Sequence, residues 1–231
     1  MLQFPHMAGT LYVVATPIGN LKDITFRALE ILKEVDLILA EDTRTTGNLL
    51  KHYEIKSNFL SYNQHSFRDP QKLTFILSQL SEGKNVALVT DAGTPAVSDP
   101  GGELIDLLVK NNPEIKVIPI PGASALTTAM SVSGLKLNHF VFLGFMPKKK
   151  RAKIWKWLKE GKVSFGFFES PFRIIKTLEE IKKEFGDSTQ IFIARELTKL
   201  HETLYRGKVG EVLTKLKSEK VRGEIVVIVE V

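Results

Sequence analysis

The sequence predicts two successive α/β domains. Over residues 9–136, apolar strand-like runs alternate four times with helical patterns, which indicates a mainly parallel sheet covered by helices. The pattern resets near residues 135–139, and a second series of strands and helices follows. A chain of 231 residues is long enough for two such cores. We therefore predict an N-terminal domain over residues 9–136 and a C-terminal domain over residues 137–231.

The predicted elements of the N-terminal domain are short apolar strands and helices with one apolar face. The helix over 70–82 shows this best, because Leu73, Ile76, Leu77 and Leu80 recur at helical spacing. Asp23 or Thr25 is placed to cap the first helix, which ends at Glu34. The predicted strands are 9–16, 35–40, 59–62, 86–89 and 116–121. The predicted helices are the capped one and those over 45–53, 70–82, from about 104, and from 125 to about 134.

In the C-terminal domain, we predict strands at 140–145, 163–168, 190–196, 204–208 and 224–231. Helices are expected after the basic run Lys148–Arg151, from Arg173 to Phe185, and over 209–219. Trp155 and Trp157 are two residues apart and cannot share one helix face, so one of them belongs to the core.

The loop over 91–101 is the first candidate for a binding site. It follows the apolar run 86–89 and contains Gly, Pro, Ser and Asp, with a helical pattern after it. Open α/β sheets bind ligands at the carboxyl ends of their strands. Long loops tend to be functional or disordered, and two prolines stiffen this one, which favours function.

Composition limits the classes of protein. The net charge of +6 is typical of a protein with an anionic partner such as nucleic acid, or of a generic lysine-rich surface. Cysteine is absent, which excludes disulfides and thiolate metal sites. Residues 1–9 lack a signal-peptide pattern and no apolar run approaches membrane-spanning length, so we expect a cytoplasmic protein with no membrane segment. The five histidines, at positions 6, 52, 65, 139 and 201, lack metal-ligand spacing, and we expect no metal.

Five separated motifs carry a family resemblance. They are residues 15–21 (Ala-Thr-Pro-Ile-Gly-Asn-Leu), 41–44 (Glu-Asp-Thr-Arg), 91–101, 121–125 (Pro-Gly-Ala-Ser-Ala) and 195–199 (Arg-Glu-Leu-Thr-Lys). Together they resemble the tetrapyrrole methylase superfamily, and most closely its members that methylate the 2′-hydroxyl of a decoding-region cytidine in bacterial 16S ribosomal RNA. The resemblance implies two α/β domains with the cofactor cleft between them, S-adenosyl-L-methionine as cofactor, 16S rRNA or the small ribosomal subunit as partner, and a homodimer.

Two features depart from that family. Residues 170–173 read Ser-Pro-Phe-Arg where the family often has Ser-Pro-His-Arg, so a histidine at that point cannot be an essential base in this chain. Many relatives also continue beyond the final strand, whereas this sequence stops at Val231. RNA contacts made by such an extension are not expected from these residues.

The resemblance implies a set of cofactor-binding residues in strand-end loops, where Gly and Pro allow close and rigid backbone approach. Local turn hydrogen bonds for Thr94 and Ser124, and core packing for Ile18, Val97 and Phe168, are the alternative interpretations. The set is Pro17, Ile18, Gly93, Thr94, Pro95, Val97, Ser124, Ala125, Phe168, Ala194, and Gly223 or Glu224.

Four residues are candidates for removing the proton of a ribose 2′-hydroxyl: Asp42, Asp91, Glu196 and Lys199. Each follows a predicted strand. The alternatives are an ion pair with Arg44 for Asp42, loop capping for Asp91, and a surface salt bridge for Glu196 and Lys199. We hypothesise that Asp91 or Lys199 helps to deprotonate the hydroxyl.

Contacts to RNA phosphates are expected from arginine and lysine. A solvated helix start is the simpler interpretation of the run from Lys148. Two other functions remain open: methylation of a corrin or porphyrin precursor, and a non-catalytic ribosome-assembly factor that binds RNA. The candidate RNA-binding residues are Arg44, Arg68, Lys148, Lys149, Lys150, Arg151, Arg173 and Arg195.

Overall fold

The computed structural model describes residues 8–231, which form two compact units that divide between Ser124 and Ala125. The first unit contains a five-stranded sheet in the order β3-β2-β4-β1-β5, and every neighbouring pair is parallel. Its strands are β1 (Thr10–Val14), β2 (Leu37–Ala40), β3 (Phe59–Ser61), β4 (Val86–Val89) and β5 (Lys116–Ile120).

Apolar clusters lie on both faces of this first sheet, which explains why its inner strands β2 and β4 are apolar at every position. In β2, Leu37 and Leu39 belong to one apolar cluster, whereas Ile38 and Ala40 belong to the other. All four inward positions predicted for the helix over 70–82 lie in the first cluster or pack against it. The helices are α1 (Phe26–Glu34), α2 (Thr43–His52), α3 (Pro70–Ser81) and α4 (Gly102–Asn111).

Polar side chains begin three of these helices. Thr25, not Asp23, caps α1, because its hydroxyl oxygen accepts the Ala28 N–H at 3.1 Å. Asp42 and Asp69 cap α2 and α3 by accepting backbone N–H groups one turn ahead. The Asp42 cap places its carboxylate at the carboxyl end of β2, where a ligand site is expected.

The second unit contains a mixed sheet in the order β6-β7-β10-β8-β9. β6 and β7 are parallel, β10 is antiparallel to both of its neighbours, and β9 is antiparallel to β8. The carboxyl ends of β6, β7 and β8 therefore share one edge of the sheet. The strands are β6 (Phe140–Phe145), β7 (Ser164–Glu169), β8 (Gln190–Arg195), β9 (Thr203–Lys208) and β10 (Ile225–Glu230).

Four helices accompany this sheet: α5 (Ala125–Ser133), α6 (Arg151–Gly161), α7 (Ile174–Phe185) and α8 (Val209–Lys217). Trp155 of α6 is buried against Phe165 and Phe185, whereas Trp157 is exposed, as their spacing requires. Among the described residues, no helix is both long and apolar enough to cross a bilayer.

The division between the units lies twelve residues before the boundary expected at residue 136. The reason is the position of α5, which packs on β10 and β8 of the second sheet. The Arg206 guanidinium of β9 also donates to the carbonyl of Val132 in α5, at 2.7 and 3.2 Å. Alternation of strands and helices along the sequence does not say which sheet a helix covers.

Candidate active site

The loops after β1 and β4 are joined at the carboxyl edge of the first sheet. Thr16 and Gly93 exchange two backbone hydrogen bonds, of 2.9 and 3.1 Å, and the Thr16 hydroxyl donates to the Thr90 carbonyl at 3.0 Å. Gly93 has a φ of +88°, which a side chain would disfavour. From β1 and β4 the chain leaves in opposite directions along the sheet, and such a switch point is where open α/β sheets bind ligands.

The loop after β5 completes this edge. A side chain at Gly122 would place its Cβ 3.0 Å from the Ala15 Cβ, so glycine permits the close approach of the two loops. The Thr94 hydroxyl donates to the Ala123 carbonyl at 3.4 Å, which is a bond between the loops after β4 and β5 and not the local turn bond considered as an alternative for this residue. Three strand-end loops are thus fixed beside one another by backbone contacts.

The predicted cofactor residues of the first unit all lie in these three loops. Pro17, Ile18, Gly93 and Pro95 are buried, and Val97 is 47% exposed. Ser124 ends the first unit, and Ala125 begins α5 in the second. Apolar side chains and backbone polar groups at a glycine-rich edge suit a ligand with an aromatic base, a ribose and a sulfonium group.

A cluster of three acidic residues, Glu41, Asp42 and Asp91, lies at the carboxyl ends of β2 and β4. Glu41 accepts the Thr90 hydroxyl at 2.6 Å and the Asp91 N–H at 3.2 Å. Asp91 in turn accepts the Asp42 N–H at 3.2 Å. Sequence reasoning missed Glu41, although it stands in the motif 41–44 directly after a buried strand.

The two aspartates of this cluster have opposite electrostatic environments. Side-chain hydrogen bonds from Arg44, with contacts of 2.6–3.2 Å, lower the pKa of Asp42 to about 2. Partial burial of its carboxyl group, followed by the negative charges of Glu41 and Asp42, raises the pKa of Asp91. Asp91 is therefore the better proton acceptor of the two.

The second unit brings Glu196 and Lys199 together at the carboxyl end of β8. The Lys199 ammonium lies 2.9 Å from the Glu196 Oε1 and 2.9 Å from the Glu224 Oε2. Burial opposes its charge, but the hydrogen bonds that the ammonium donates to Glu224 and Glu196 outweigh this effect and raise the pKa of Lys199. The Glu224 backbone N–H, followed by Lys199, lowers the pKa of Glu196. An ammonium has no lone pair, and the raised pKa disfavours the neutral amine, so Lys199 is unsuited to accept a proton.

The predicted cofactor residues of the second unit also lie at this edge. Phe168 and Ala194 face Val226 of β10 from either side. Gly223 has a φ of +86°, and a side chain there would collide with the Glu196 side chain. Glu224 is committed to Lys199 and, through its backbone, to Glu196.

The predicted RNA-binding residues divide by exposure. Arg44, Arg68 and the three lysines at 148–150 are exposed. Arg195 is partly buried and donates to the Thr203 hydroxyl at 2.9 Å and to the Arg222 carbonyl at 3.4 Å.

Arg151 differs from the expectation of a phosphate contact. Its side chain is only 10% exposed, and its guanidinium donates to Pro147, Thr177, Glu169 and Glu180. Because these hydrogen bonds occupy its donors inside the protein, the Arg151 guanidinium stabilises the fold. We therefore no longer propose Arg151 as an RNA contact.

Glu169, at the end of β7, is the centre of that network. Its fully buried carboxylate accepts from Arg151, Arg173, Thr177 and the Ser170 N–H at 2.5–3.3 Å. Arg173, another predicted RNA contact, therefore uses part of its guanidinium to bind Glu169 inside the protein. Sequence reasoning missed Glu169, and its only signal is a charged residue directly after an apolar strand.

Among residues 8–231, no group of three or more acidic or histidine side chains is placed to hold a metal ion. His6 lies outside the described residues. The absence of a metal stays a prediction.

Two sheets of this topology, each with loops at the carboxyl ends of its strands, define a protein of two α/β units. The chain belongs to the family Tetrapyrrole (Corrin/Porphyrin) Methylases, whose sequence profile matches residues 10–213. The family, the fold, the methyltransferase class and S-adenosyl-L-methionine as methyl donor are thereby confirmed.

Two relatives and two solved structures illustrate these similarities. A Thermotoga maritima protein named ribosomal RNA small subunit methyltransferase I is 48% identical over 95% of this chain and 97% of its own length. An Escherichia coli O157:H7 protein of the same name is 44% identical over 96% of this chain and 78% of its own. The crystal structure of the methyltransferase CobJ matches with a TM-score of 0.70 at 18% identity, covering 96% of this chain and 94% of its own. That of cobalt precorrin-4 methyltransferase, CbiF, matches with a TM-score of 0.70 at 19% identity, covering 97% and 95%.

Proposed function

We propose that this protein transfers a methyl group from S-adenosyl-L-methionine to the 2′-hydroxyl of a cytidine in the decoding region of 16S ribosomal RNA. The observation that carries the proposal is the 48% identity to a protein named ribosomal RNA small subunit methyltransferase I, over nearly the whole of both chains. CobJ and the cobalt precorrin-4 methyltransferase CbiF share the fold at only 18–19% identity, which says nothing about the substrate of this chain. A ribosomal substrate also fits the net charge of +6.

The loops after β1, β4 and β5 of the first unit are the proposed holders of the cofactor. When bound, S-adenosyl-L-methionine supplies an electrophilic methyl group on a positively charged sulfur. The contribution of these rigid loops is positioning, which is a large part of the catalysis of a displacement reaction. The proposed working form is a cytoplasmic homodimer.

Asp91 is the proposed general base. Its raised pKa makes its carboxylate a stronger proton acceptor than an ordinary aspartate, and it is partly exposed beside the proposed cofactor loops. With the cofactor bound, the Asp91 carboxylate would accept the 2′-hydroxyl proton while the ribose oxygen takes the methyl group and the methyl–sulfur bond breaks, which would leave the cofactor as a neutral thioether. Lys199 remains a cation that holds Glu196 and Glu224, and Asp42 holds Arg44.

The test is single-turnover methyl transfer from labelled cofactor to small ribosomal subunits lacking the modification, with the methylated nucleotide mapped. Asp91→Asn should lower the rate by about 10²- to 10⁴-fold at neutral pH, because the amide cannot accept the proton. Calorimetry should show unchanged cofactor binding. Asp106→Asn, which alters a surface pair with Lys110 on α4, is the matched control and should keep the native rate.

The pH profile gives the sign of the effect. The native rate should fall as pH drops through the pKa of Asp91, since only the carboxylate accepts a proton, and the raised pKa moves this fall to a higher pH than an ordinary aspartate would give. Asp91→Asn should lack that limb. A native rate in Asp91→Asn would refute the role of the residue. Methylation of a precorrin but not of ribosomal RNA, or of neither, would refute the proposed activity.

A further inference from the structure

The carboxyl edge of the second sheet exposes apolar side chains. Phe145 ends β6 and is 60% exposed, Phe172 follows β7 and is 95% exposed, and Leu200 follows β8 and is 93% exposed. A single exposed apolar residue is ordinary on a protein surface. Here three of them end or follow strands whose carboxyl ends lie at the same end of the sheet, which makes this end of the second unit a candidate ligand surface.

Hydrogen bonds and an ion pair to Glu169 fix the loop that carries Phe172. The Ser170 hydroxyl accepts the Phe172 N–H at 3.3 Å, and the Ser170 N–H donates to the buried Glu169 carboxylate at 2.8 Å. Arg173, the next residue, is paired with the same carboxylate at 2.5 Å. The exposed ring therefore projects from a fixed backbone, which reduces the entropy lost when a ligand binds.

Cations stand beside this loop. Lys148, Lys149 and Lys150 are exposed and lead into α6, whose first residue, Arg151, is paired with Glu169. One buried carboxylate thus ties the lysine segment and the Phe172 loop to the end of β7. The Phe145 ring of β6 lies 5.4 Å from the ring of Phe168 on the neighbouring strand β7.

We propose that Phe172 stacks on an unpaired base of a single-stranded RNA segment whose phosphates lie along Lys148–Lys150. Aromatic rings beside positive charge fit this ligand, because every base has a face to stack and every nucleotide a phosphate. A phenylalanine ring has no titratable nitrogen, so it can position a base but cannot move a proton. The inference rests on the proposed function, since it assigns the RNA contact of that enzyme. Burying the ring against a second copy of this chain is disfavoured, because it would bring like charges together.

The test measures binding of a fluorescently labelled, unstructured twelve-nucleotide RNA, alone and as a duplex with its complement, at several salt concentrations. Phe172→Ala should weaken binding of the single strand by about 5- to 100-fold, while Phe172→Trp should retain it. Phe26→Ala is the matched control, because Phe26 is 87% exposed at the start of α1 in the first unit. That variant should bind as the native protein does.

Replacing Lys148, Lys149 and Lys150 by alanine should reduce the slope of log affinity against log salt by about 2, whereas Phe172→Ala should leave it unchanged. Native affinity in Phe172→Ala, an equal loss in Phe26→Ala, or tighter binding of the duplex would overturn the proposal. A change in the oligomeric state of Phe172→Ala would also overturn the proposal, because the ring would then lie between two copies of the chain.

These outcomes are separable from those of the proposed function. If the native protein binds single-stranded RNA through Phe172 but methylates no ribosomal RNA, the stacking role stands and the activity falls. If the native protein methylates small subunits while Phe172→Ala binds RNA as tightly as the native protein does, the activity stands and the stacking role falls.

Discussion

The substitution Glu169→Gln tests whether one buried carboxylate holds the end of β7 together. Each of its oxygens accepts two donors: Oε1 from the Ser170 N–H and Arg173, and Oε2 from the Thr177 hydroxyl and Arg151. Glutamine has nearly the same shape, but whichever way its amide turns, an NH₂ group faces two donors. Arg173 also loses its negative partner, and Arg151 loses one of its two.

The expected loss in free energy of unfolding is about 3–5 kcal/mol, the range for removing one member of a buried charge network. Urea titration followed by tryptophan fluorescence is the appropriate assay, because both tryptophans of the chain, Trp155 and Trp157, lie in the unit that contains Glu169. The signal therefore reports on the affected core.

Glu179→Gln is the control. Glu179 pairs with Lys217 at 2.6 Å on the surface, where its side chain is 49% exposed, and such pairs contribute about 0–1 kcal/mol. A loss for Glu169→Gln below about 1 kcal/mol, or no larger than that of the control, would refute the argument that this network stabilises the second unit.

Two further predictions concern the first unit. Tyr62→Phe should raise the free energy of unfolding by about 1 kcal/mol, because the buried Tyr62 hydroxyl has no hydrogen-bond partner among the described residues. Burial raises the pKa of Tyr62 to about 12, so native stability should fall as pH rises from 10 towards 12, and a titration of the variant should lack that loss. Gly101→Ala should cost about 2–3 kcal/mol in a urea titration, because Gly101 has a φ of +121° and an added Cβ would collide with Leu88. Gly102→Ala, where the added Cβ meets no atom within 4 Å, should not destabilise the protein, and equal losses at both positions would contradict this reasoning.

The strands could be predicted from the sequence because a strand that is buried on both faces appears as a continuous apolar run. β2 and β4 are apolar at every position, and both lie inside the parallel sheet of the first unit. The loop over 91–101 was identifiable for a similar reason, since Gly and Pro report on backbone conformation directly. Its glycines at 93 and 101 both have positive φ.

Side-chain partners were harder to predict because they depend on which strands become neighbours. Arg151 belongs to a run of four cations, and nothing local distinguishes it from Lys150. It is buried because α6 begins beside Glu169, eighteen residues later in the chain. Lys199 was matched with Glu196 in sequence, but its second partner, Glu224, arrives only because β10 pairs with β8.

The place of β10 has a consequence for biosynthesis. It lies between β7 and β8, so a ribosome must finish residues 225–230 before the second sheet can close. The first unit has all its strands by Ile120 and can fold while the rest is still being translated. A nascent chain cut short before Ile225 would leave two apolar strands with open sides, ready to pair with other chains. Truncation before Ile225 should therefore produce insoluble protein in cells.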